Sequence, residues 1–168
     1  MHYKLPSHFH FPFSKTLVQR EPVKMKTKPL HKQHTILWAD DDADDLYFVK
    51  EVMEVLDDKH RVIEASNGRQ ALDYLSSIDC PSQLPCLVVL DINMPVLDGK
   101  ETLAIIKSEE KYSTITVVVF TTSSSEKDRL FCERFGVEMY SKPHTYSGFE
   151  EMVSNLLQQC KSQKEVSV

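Results

Sequence analysis

The sequence predicts an α/β domain built on a doubly wound sheet of five parallel strands. Two patterns predict this fold between residues 35 and 160. Short apolar runs rich in β-branched residues alternate with stretches whose apolar residues recur at helical spacing. Acidic or polar residues directly follow several of the apolar runs, as they do at the carboxyl ends of strands in such sheets. Since crossovers between parallel strands are right-handed, five strands alternating with five helices lead to this arrangement.

Charge is distributed unevenly along the 168 residues. Residues 1–35 hold seven Lys and Arg against one Glu, whereas the rest of the chain holds thirteen against twenty-four acidic residues. An acidic domain lacks the basic footprint of a protein that binds nucleic acid. No apolar run approaches membrane-spanning length and no secretory signal is recognised, so we expect a cytoplasmic protein without a membrane partner. The four cysteines show no C-x-x-C or metal-ligand spacing and are interpreted as reduced thiols: Cys80, Cys86, Cys132 and Cys160.

The two ends of the chain are predicted to lie outside the domain. Residues 1–34 are interpreted as a disordered basic arm, because they lack sustained periodicity and hold four of the eight prolines. His8 and His10 in this arm are interpreted as scattered side chains rather than metal ligands. The run MKTKPLHKQHT leads directly into the first strand, so Met25 is a candidate native start. Residues 35–160 form the domain, and 161–168 a polar tail that frays.

The first two strands and helices follow from short local patterns. Residues 35–39 (TILWA) form a strand that ends at a run of aspartates. In the helix that follows, Asp44 and Asp45 occupy the first turn, where acidic residues favour the helix dipole. Residues 61–65 (RVIEA) form the second strand, and the turn Ser66-Asn67-Gly68 precedes the second helix. The apolar positions are Leu46, Val49, Met53 and Leu56 in the first helix and Ala71, Leu72 and Leu75 in the second.

The third strand is the most informative. Residues 87–90 (LVVL) suit a strand buried on both faces of a parallel sheet, and the run stops at Asp91. The turn signals Met94-Pro95 and Asp98-Gly99 follow at once, so Asp91 lies where a core strand becomes a loop. A carboxylate there is costly to bury unless a cation compensates its charge. Leu103 and Ile106 mark the third helix.

The fourth and fifth strands, each with the helix that follows it, complete the alternation of strands and helices. Residues 115–120 (ITVVVF) form a buried strand, and Ser125-x-x-Asp128 predicts a capping box at the start of a helix that ends at Gly136. Residues 137–141 form the fifth strand. The apolar positions are Leu130, Phe131 and Phe135 in the fourth helix, and Phe149, Met152, Val153, Leu156, Leu157 and Cys160 in the clear amphipathic stripe of the fifth.

Polar groups follow four of the strands. Asp40 and Asp41 come after the first strand, Asp91 after the third, Thr121 after the fourth and Lys142 after the fifth. In a doubly wound sheet these ends converge on one edge. Clustered carboxylates repel one another and are stable only with a divalent cation or with raised pKa values. An all-oxygen set with few protein contacts suits Mg²⁺, and a hydroxyl and a lysine on the same edge complete a phosphate site.

Four segments in this order and spacing, ILWADD, LVVLDINMPVLDG, VVVFTTS and YSKP, resemble the receiver domain of two-component response regulators. The resemblance covers roughly residues 35 to 160 and implies a flavodoxin-like (βα)5 fold. It implies that Asp91 is the phosphoacceptor for a sensor histidine kinase, with Thr121 binding the phosphoryl group and Lys142 pairing with Asp91 or its phosphate. The implied Mg²⁺ ligands are Asp40, Asp41, Asp91 and the backbone carbonyl of Asn93.

The resemblance also implies an output surface around the fourth helix, fifth strand and fifth helix. Members of the family often carry an aromatic residue three positions before the lysine, coupled to movement of the threonine. Met139 stands there in this chain, and Tyr140 faces the opposite way at strand period two. Either Met139 serves as a softer switch or the protein signals mainly through its loops.

Three alternative functions compete with that of a phosphoacceptor. Residues 40–51 partly match a calcium-binding EF-hand loop, but Asp45 stands where that loop needs Gly. Phosphatases of the haloacid dehalogenase type also use a strand-end Asp, with a second Asp at the position of Asn93. A receiver-like adaptor that works without phosphorylation is the alternative from the binding class. We expect a stand-alone, non-enzymatic phosphoacceptor that binds an unknown downstream protein, as a monomer or a phosphorylation-dependent dimer.

Overall fold

The computed structural model describes residues 34–56 and 59–162. The predictions for His8, His10 and Met25 therefore lie outside the described residues. The helices and strands are β1 His34–Ala39, α1 Ala43–Leu56, β2 His60–Ala65, α2 Gly68–Ser76, β3 Leu87–Leu90, α3 Gly99–Ser108, β4 Thr116–Thr121, α4 Glu126–Arg134, β5 Glu138–Ser141 and α5 Tyr146–Ser162, with short 3-10 turns at Pro81–Gln83 and Glu110–Tyr112. Helix α5 thus runs two residues past the predicted domain boundary at 160. Among the described helices, none combines the length and hydropathy that a membrane span requires.

The five strands form one parallel sheet in the order β2-β1-β3-β4-β5. In the register, Ala39 of β1 pairs with Ala65 on one side and Leu90 on the other, so these strands end level. Chain order reverses between β1 and β3, which makes this point the topological switch where ligands bind in open α/β sheets. The predicted doubly wound, flavodoxin-like α/β fold is confirmed.

Strand residues alternate between two separate cores because successive side chains point to opposite faces of a sheet. Leu37, Val88 and Val119 face the core covered by α2, α3 and α4. Trp38 and Phe120 face the other core, under α1 and α5, and their rings meet edge to face with centroids 5.4 Å apart. All six predicted apolar positions of α5 are buried in this second core. Both faces of the central strands are therefore sealed, and only their ends are open for a site.

The predicted capping box of α4 is wrong. Ser125 occupies the N-cap position, but its side chain makes no capping hydrogen bond. The Asp128 carboxylate instead accepts a hydrogen bond from the Ser123 hydroxyl at 2.6 Å. A capping box occurs at α3, where the Asp98 side chain accepts from the Glu101 N–H at 2.8 Å and the Glu101 side chain accepts from the Asp98 N–H. The Asp128 carboxylate is therefore engaged by Ser123 and by Lys100 of α3 rather than in a capping box.

The interpretation of all four cysteines as reduced thiols is wrong for one pair. Cys86, just before β3, and Cys160, in the last turns of α5, form a disulfide with their Cα atoms 5.3 Å apart. Sequence spacing could not reveal this pair because 74 positions separate the two residues. Docking of the α5 stripe onto the sheet brings them together. Cys80 and Cys132 are free, the first exposed and the second buried.

Candidate functional site

Two aspartates lie buried at the carboxyl ends of adjacent strands. Asp40 follows β1 and is fully buried, and Asp91 follows β3 and is 6% exposed. Asp41, next to Asp40, is exposed. A carboxylate oxygen from each of the three lies within 4.8 Å of the others. We name this group the carboxylate cluster; it concentrates negative charge at the switch point of the sheet and requires positive charge nearby.

Lys142 supplies positive charge to the carboxylate cluster. Its Nζ lies 2.8 Å from Asp40 Oδ2, 2.8 Å from Asp45 Oδ2 and 3.5 Å from Asp91 Oδ2. Burial alone lowers the pKa of Lys142, but hydrogen bonds to Asp40 and Asp45 outweigh burial and raise this pKa above its ordinary value. Lys142 directly follows β5, and its backbone N–H donates to the carbonyl of Thr121 in β4 at 3.0 Å. The ammonium group is therefore charged at neutral pH and held among three carboxylates.

Asp40 combines a raised pKa with an incompletely bonded oxygen. Burial raises its pKa to about 6, even though hydrogen bonds from Lys142 and the Asp42 N–H lower it. Asp40 Oδ1 accepts from both groups, at 3.0 and 3.1 Å. Asp40 Oδ2 is buried and receives no well-directed hydrogen bond within the described residues, although Lys142 Nζ is near. A buried oxygen in this condition suits a cation, and the all-oxygen donor set fits a hard divalent ion such as Mg²⁺.

Thr121 ends β4 at the same edge and is fully buried. Its Oγ1 accepts a hydrogen bond from the Ser123 N–H at 3.2 Å. The Ser123 hydroxyl in turn donates to Asp128, which also binds Lys100 of α3 at 3.0 Å. These hydrogen bonds, from Ser123 first and then Lys100, lower the pKa of Asp128. The loop between β4 and α4 is therefore tied to α3 by a chain of polar contacts that begins at Thr121.

The loop between β3 and α3 shapes the surroundings of Asp91. The Ile92 N–H donates to Asp91 Oδ1 at 2.7 Å and orients the carboxylate. Asn93 is exposed two residues after Asp91. Gly99 folds the loop back, with its N–H donating to the Ile92 carbonyl at 3.0 Å. A Cβ at position 99 would lie 2.0 Å from the Asp91 carbonyl oxygen, so only glycine allows this close approach.

The structure thus brings four of the predicted residues into direct proximity: Asp40, Asp41, Asp91 and Lys142. Thr121 ends β4, and Asn93 lies in the loop after β3, at the same edge of the sheet. Sequence reasoning missed Asp45, which was assigned only to the helix dipole but contacts Lys142 at 2.8 Å. The position of Asp45, one helical turn beyond the aspartate run, was the feature of the sequence that could have indicated its place in the site. The EF-hand alternative does not fit, because β1 rather than a helix precedes Asp40.

Comparison with known proteins identifies a class of signalling domain. The model of the response regulator receiver domain matches residues 36–154. Because the match covers most of the chain, this protein belongs to the response regulator receiver family. The resemblance seen in the sequence is therefore confirmed.

Individual relatives are similar over the same domain. The chain is 37% identical over 106 residues to the nitrate/nitrite response regulator protein NarL of Escherichia coli (strain K12), covering 63% of this chain and 46% of NarL. It is 35% identical over 107 residues to response regulator Rcp1 of Synechocystis, covering 62% of this chain and 73% of Rcp1. The chain therefore spans about half of NarL and nearly three quarters of Rcp1.

Two solved structures show the same fold in chemically informative states. The phosphorylated cyanobacterial phytochrome response regulator RcpA aligns with a TM-score of 0.67 at 29% identity, covering 75% of this chain and 92% of RcpA. The Mn²⁺-bound form of Rcp1 aligns with a TM-score of 0.65 at 31% identity, covering 73% of this chain and 91% of that Rcp1 chain.

Proposed function

We propose that this protein is a single-domain response regulator in which Asp91 accepts a phosphoryl group from a sensor histidine kinase with the help of Mg²⁺. One observation carries the proposal: the three oxygens of the carboxylate cluster lie within 4.8 Å of one another, beside Lys142, at the switch point of the sheet. Membership in the receiver family supports it. So do a phosphorylated and a Mn²⁺-bound structure among the similar proteins.

The chemistry requires little from the protein beyond positioning and charge. A carboxylate is already a nucleophile at neutral pH, so Asp91 needs no general base. An Asp91 oxygen forms a bond to phosphorus as the P–N bond of the donor phosphohistidine breaks; the imidazole keeps that electron pair and later takes a proton from water. Mg²⁺ held by Asp40, Asp41, Asp91 and the Asn93 carbonyl would offset charge on the phosphoryl oxygens.

Lys142 and Thr121 would respond to the new group. An acyl phosphate adds negative charge and strong acceptors beside Asp91. Lys142 lies 3.5 Å from Asp91 Oδ2 and can exchange its contacts with Asp40 and Asp45 for the phosphoryl oxygens. The Thr121 hydroxyl, whose oxygen now accepts from the Ser123 N–H, would donate to the phosphoryl group. Movement of Thr121 would carry Ser123 and the loop before α4 with it.

The output surface would include the groove between α4 and β5. This groove has a volume of about 380 Å³ and is lined by Met139 and Tyr140 of β5, together with Cys132 of α4. Met139 packs against the core under α2, α3 and α4, whereas Tyr140 packs against the core under α1 and α5. The Gln159 side chain of α5 donates to the Tyr140 hydroxyl at 2.8 Å. A shift of the loop before α4 would therefore reach a downstream protein through Met139 or through the loop itself.

Intact-mass measurement tests the proposal directly. The full chain is incubated with a small acyl phosphate donor and Mg²⁺, alongside Asp91→Asn and a matched control, Asp79→Asn, which removes an exposed carboxylate. We expect the wild type and Asp79→Asn to gain one phosphoryl group, and Asp91→Asn to gain none. Omission of Mg²⁺ should suppress the gain.

Two other outcomes would contradict the proposal. A folded wild-type protein that binds Mg²⁺ and gains no mass would favour the phosphorylation-independent adaptor. Steady hydrolysis of a phosphomonoester, lost in Asp91→Asn, would favour a phosphatase. Transfer from a phosphorylated histidine kinase to Asp91 then identifies the physiological class of donor.

A further inference from the structure

A second group of metal-ligating side chains lies at the opposite edge of the sheet. His60 begins β2, Cys86 directly precedes β3, and Cys160 lies near the end of α5. All three are buried, with exposures of 8%, 8% and 1%. One ligand atom from each lies within 4.8 Å of the others. We name these residues the sulfur–imidazole cluster; it lies at the amino ends of the strands, whereas the carboxylate cluster lies at the carboxyl ends.

The donor atoms of the sulfur–imidazole cluster favour a different kind of ion from the one that the carboxylate cluster favours. Two thiolates and one imidazole are soft or borderline ligands, which favour Zn²⁺ in tetrahedral geometry over Mg²⁺. The fourth position is open to water or to His34, whose ring centroid lies 5.4 Å from that of His60. The set therefore matches the ligand types of Cys₂His and Cys₂His₂ zinc sites.

The three ligands are held by separate rigid elements. His60 is fixed in the ladder of β1 and β2, where it pairs with His34. The Cys86 N–H donates to the Thr35 carbonyl at 2.9 Å, and Cys86 Sγ lies 3.3 Å from that same oxygen, which would accept the S–H of the reduced thiol. Cys160 is packed in the core under α5. Because these ligands are already held in place, they lose little conformational entropy when they bind an ion.

We propose that the reduced protein binds one thiophilic tetrahedral ion, Zn²⁺, through Cys86, Cys160 and His60. In the disulfide form, the two sulfurs are joined and cannot both ligate. A low-molecular-weight dithiol reduces the pair: each cysteine sulfur gains one electron and one proton, and the dithiol becomes a disulfide. Zn²⁺ then replaces the two thiol protons, which are released. The disulfide and the metal site are thus alternative links between the end of α5 and the start of β3.

Cobalt substitution tests this site in the full chain. The protein is reduced with a phosphine, freed of reductant without oxygen, and titrated with Co²⁺ alone. We expect one equivalent to produce thiolate-to-cobalt charge transfer and the intense visible bands of tetrahedral Co²⁺, which one equivalent of Zn²⁺ abolishes. Cys86→Ser and Cys160→Ser should lose both signals, and His60→Ala should need higher Co²⁺ concentrations for half-saturation. Cys132→Ser, which removes a buried thiol elsewhere, should match the wild type.

The test is independent of phosphorylation because it uses no phosphodonor and reads a thiolate-to-cobalt band, which the all-oxygen carboxylate cluster cannot produce. Only weak octahedral absorption from reduced wild type, or thiolate bands that persist in Cys86→Ser, would overturn the proposal. If the serine variants fail to fold, X-ray absorption of Zn²⁺ on the reduced wild type decides. Two sulfurs at about 2.3 Å from Zn²⁺, with an imidazole nitrogen at about 2.0 Å from it, would support the site. A shell made only of oxygen atoms would refute it.

Discussion

Asp40 and Lys142 are the two residues on which the charge of the site depends. Their side chains are 0% and 8% exposed and lie 2.8 Å apart. Taking such a pair out of water costs free energy that the mutual attraction must offset, so removal of one partner leaves an uncompensated charge. Lys142 thereby supplies the positive charge that the buried Asp40 carboxylate requires. The same residue is available to the phosphoryl group that we propose for Asp91.

Replacement of this lysine should destabilise the protein in a pH-dependent manner. We expect Lys142→Met to lower the free energy of unfolding by about 3 kcal/mol at neutral pH, since buried Asp40 loses its cation. The pKa of Asp40 is about 6, so at pH 5 that carboxyl is mostly neutral and the loss should shrink. Urea denaturation at the two pH values measures the effect. Lys107→Met, at an exposed position of α3, should change little at either pH.

Binding of Mg²⁺ should weaken as the pH falls through about 6, because protons then compete for Asp40. When no Mg²⁺ is added, the raised pKa of Asp40 makes the free energy of unfolding fall as the pH rises. From the ordinary value of 3.8 up to about 6, the folded state keeps a proton that the unfolded chain has released, so this group costs stability as the pH rises. Calorimetric titration of Mg²⁺ at several pH values tests whether binding weakens. An affinity that stays the same across this pH window would contradict the prediction.

Val96 adopts a backbone conformation that is unfavourable for a β-branched residue. Its φ is 69° and its side chain is 81% exposed in the loop after β3. Strain in the left-handed region costs of order 1–3 kcal/mol, and no buried contact compensates an exposed side chain. We expect Val96→Gly to raise the free energy of unfolding by about 1 kcal/mol. Val96→Ala keeps a Cβ at this position and should gain less; equal gains would argue against strain as the cause.

At the level of elements, α3 and α4 are joined through the Asp128 carboxylate. Asp128 is 8% exposed and accepts from Ser123 at 2.6 Å and Lys100 at 3.0 Å. The Ser123 hydroxyl oxygen also accepts from the Ser125 N–H at 3.2 Å, so the carboxylate fixes the whole loop before α4. This loop follows Thr121, the last residue of β4, which we propose to sense phosphorylation. The loop that we propose to move on phosphorylation is therefore held by one identifiable group.

Asp128→Asn should loosen this loop without unfolding the domain. An amide keeps the shape but loses the charge that binds Lys100, and we expect a cost of about 1–2 kcal/mol. Hydrogen exchange at the amides of Ser123 and Ser125 should accelerate, whereas exchange in α2 should not change. Asp73→Asn, on the exposed face of α2, serves as the control. Unchanged exchange in the loop would show that other contacts hold it.

Local pattern predicts the elements well because each segment carries its own periodicity. Five of the ten strand boundaries lie one residue from their predicted positions, and Thr121 proved to be the last residue of β4 rather than the first of a loop. Contacts between distant segments were not predictable. Asp128 bonds to a lysine from another helix, Asp45 to a lysine after β5, and Cys86 to Cys160. In α4, Leu130 was assigned to the apolar face but is 48% exposed, because Cys132 takes the buried position.

For the molecule as a whole, the site residues at the carboxyl ends of β3, β4 and β5 lie inside a covalent loop. The Cys86–Cys160 bond spans 74 positions and encloses Asp91, Thr121 and Lys142. A cross-link of this span stabilises the folded state by about 4 kcal/mol in the chain-entropy description. The bond also anchors α5 at the edge of the sheet remote from the proposed phosphorylation site.

Reduction should therefore lower the free energy of unfolding of the oxidised protein, by up to about 4 kcal/mol. Urea denaturation with and without a phosphine reductant, in the presence of a chelator that removes metal ions, measures the change. Cys132→Ser should show the same drop as the wild type. Cys86→Ser should be insensitive to reductant. A wild-type midpoint that does not shift would mean that the cross-link adds no stability.

The exposure of Asp41 beside the buried Asp40 and Asp91 has a kinetic consequence. A solute meets Asp41 at the surface before it meets the two inner carboxylates. A small hydrated ion can shed water stepwise along that route, whereas a bulky phosphodonor would cover it. We therefore expect a compulsory order of addition, with the ion first and the donor second. Initial-rate patterns would then show the donor as effective only on the ion-loaded protein.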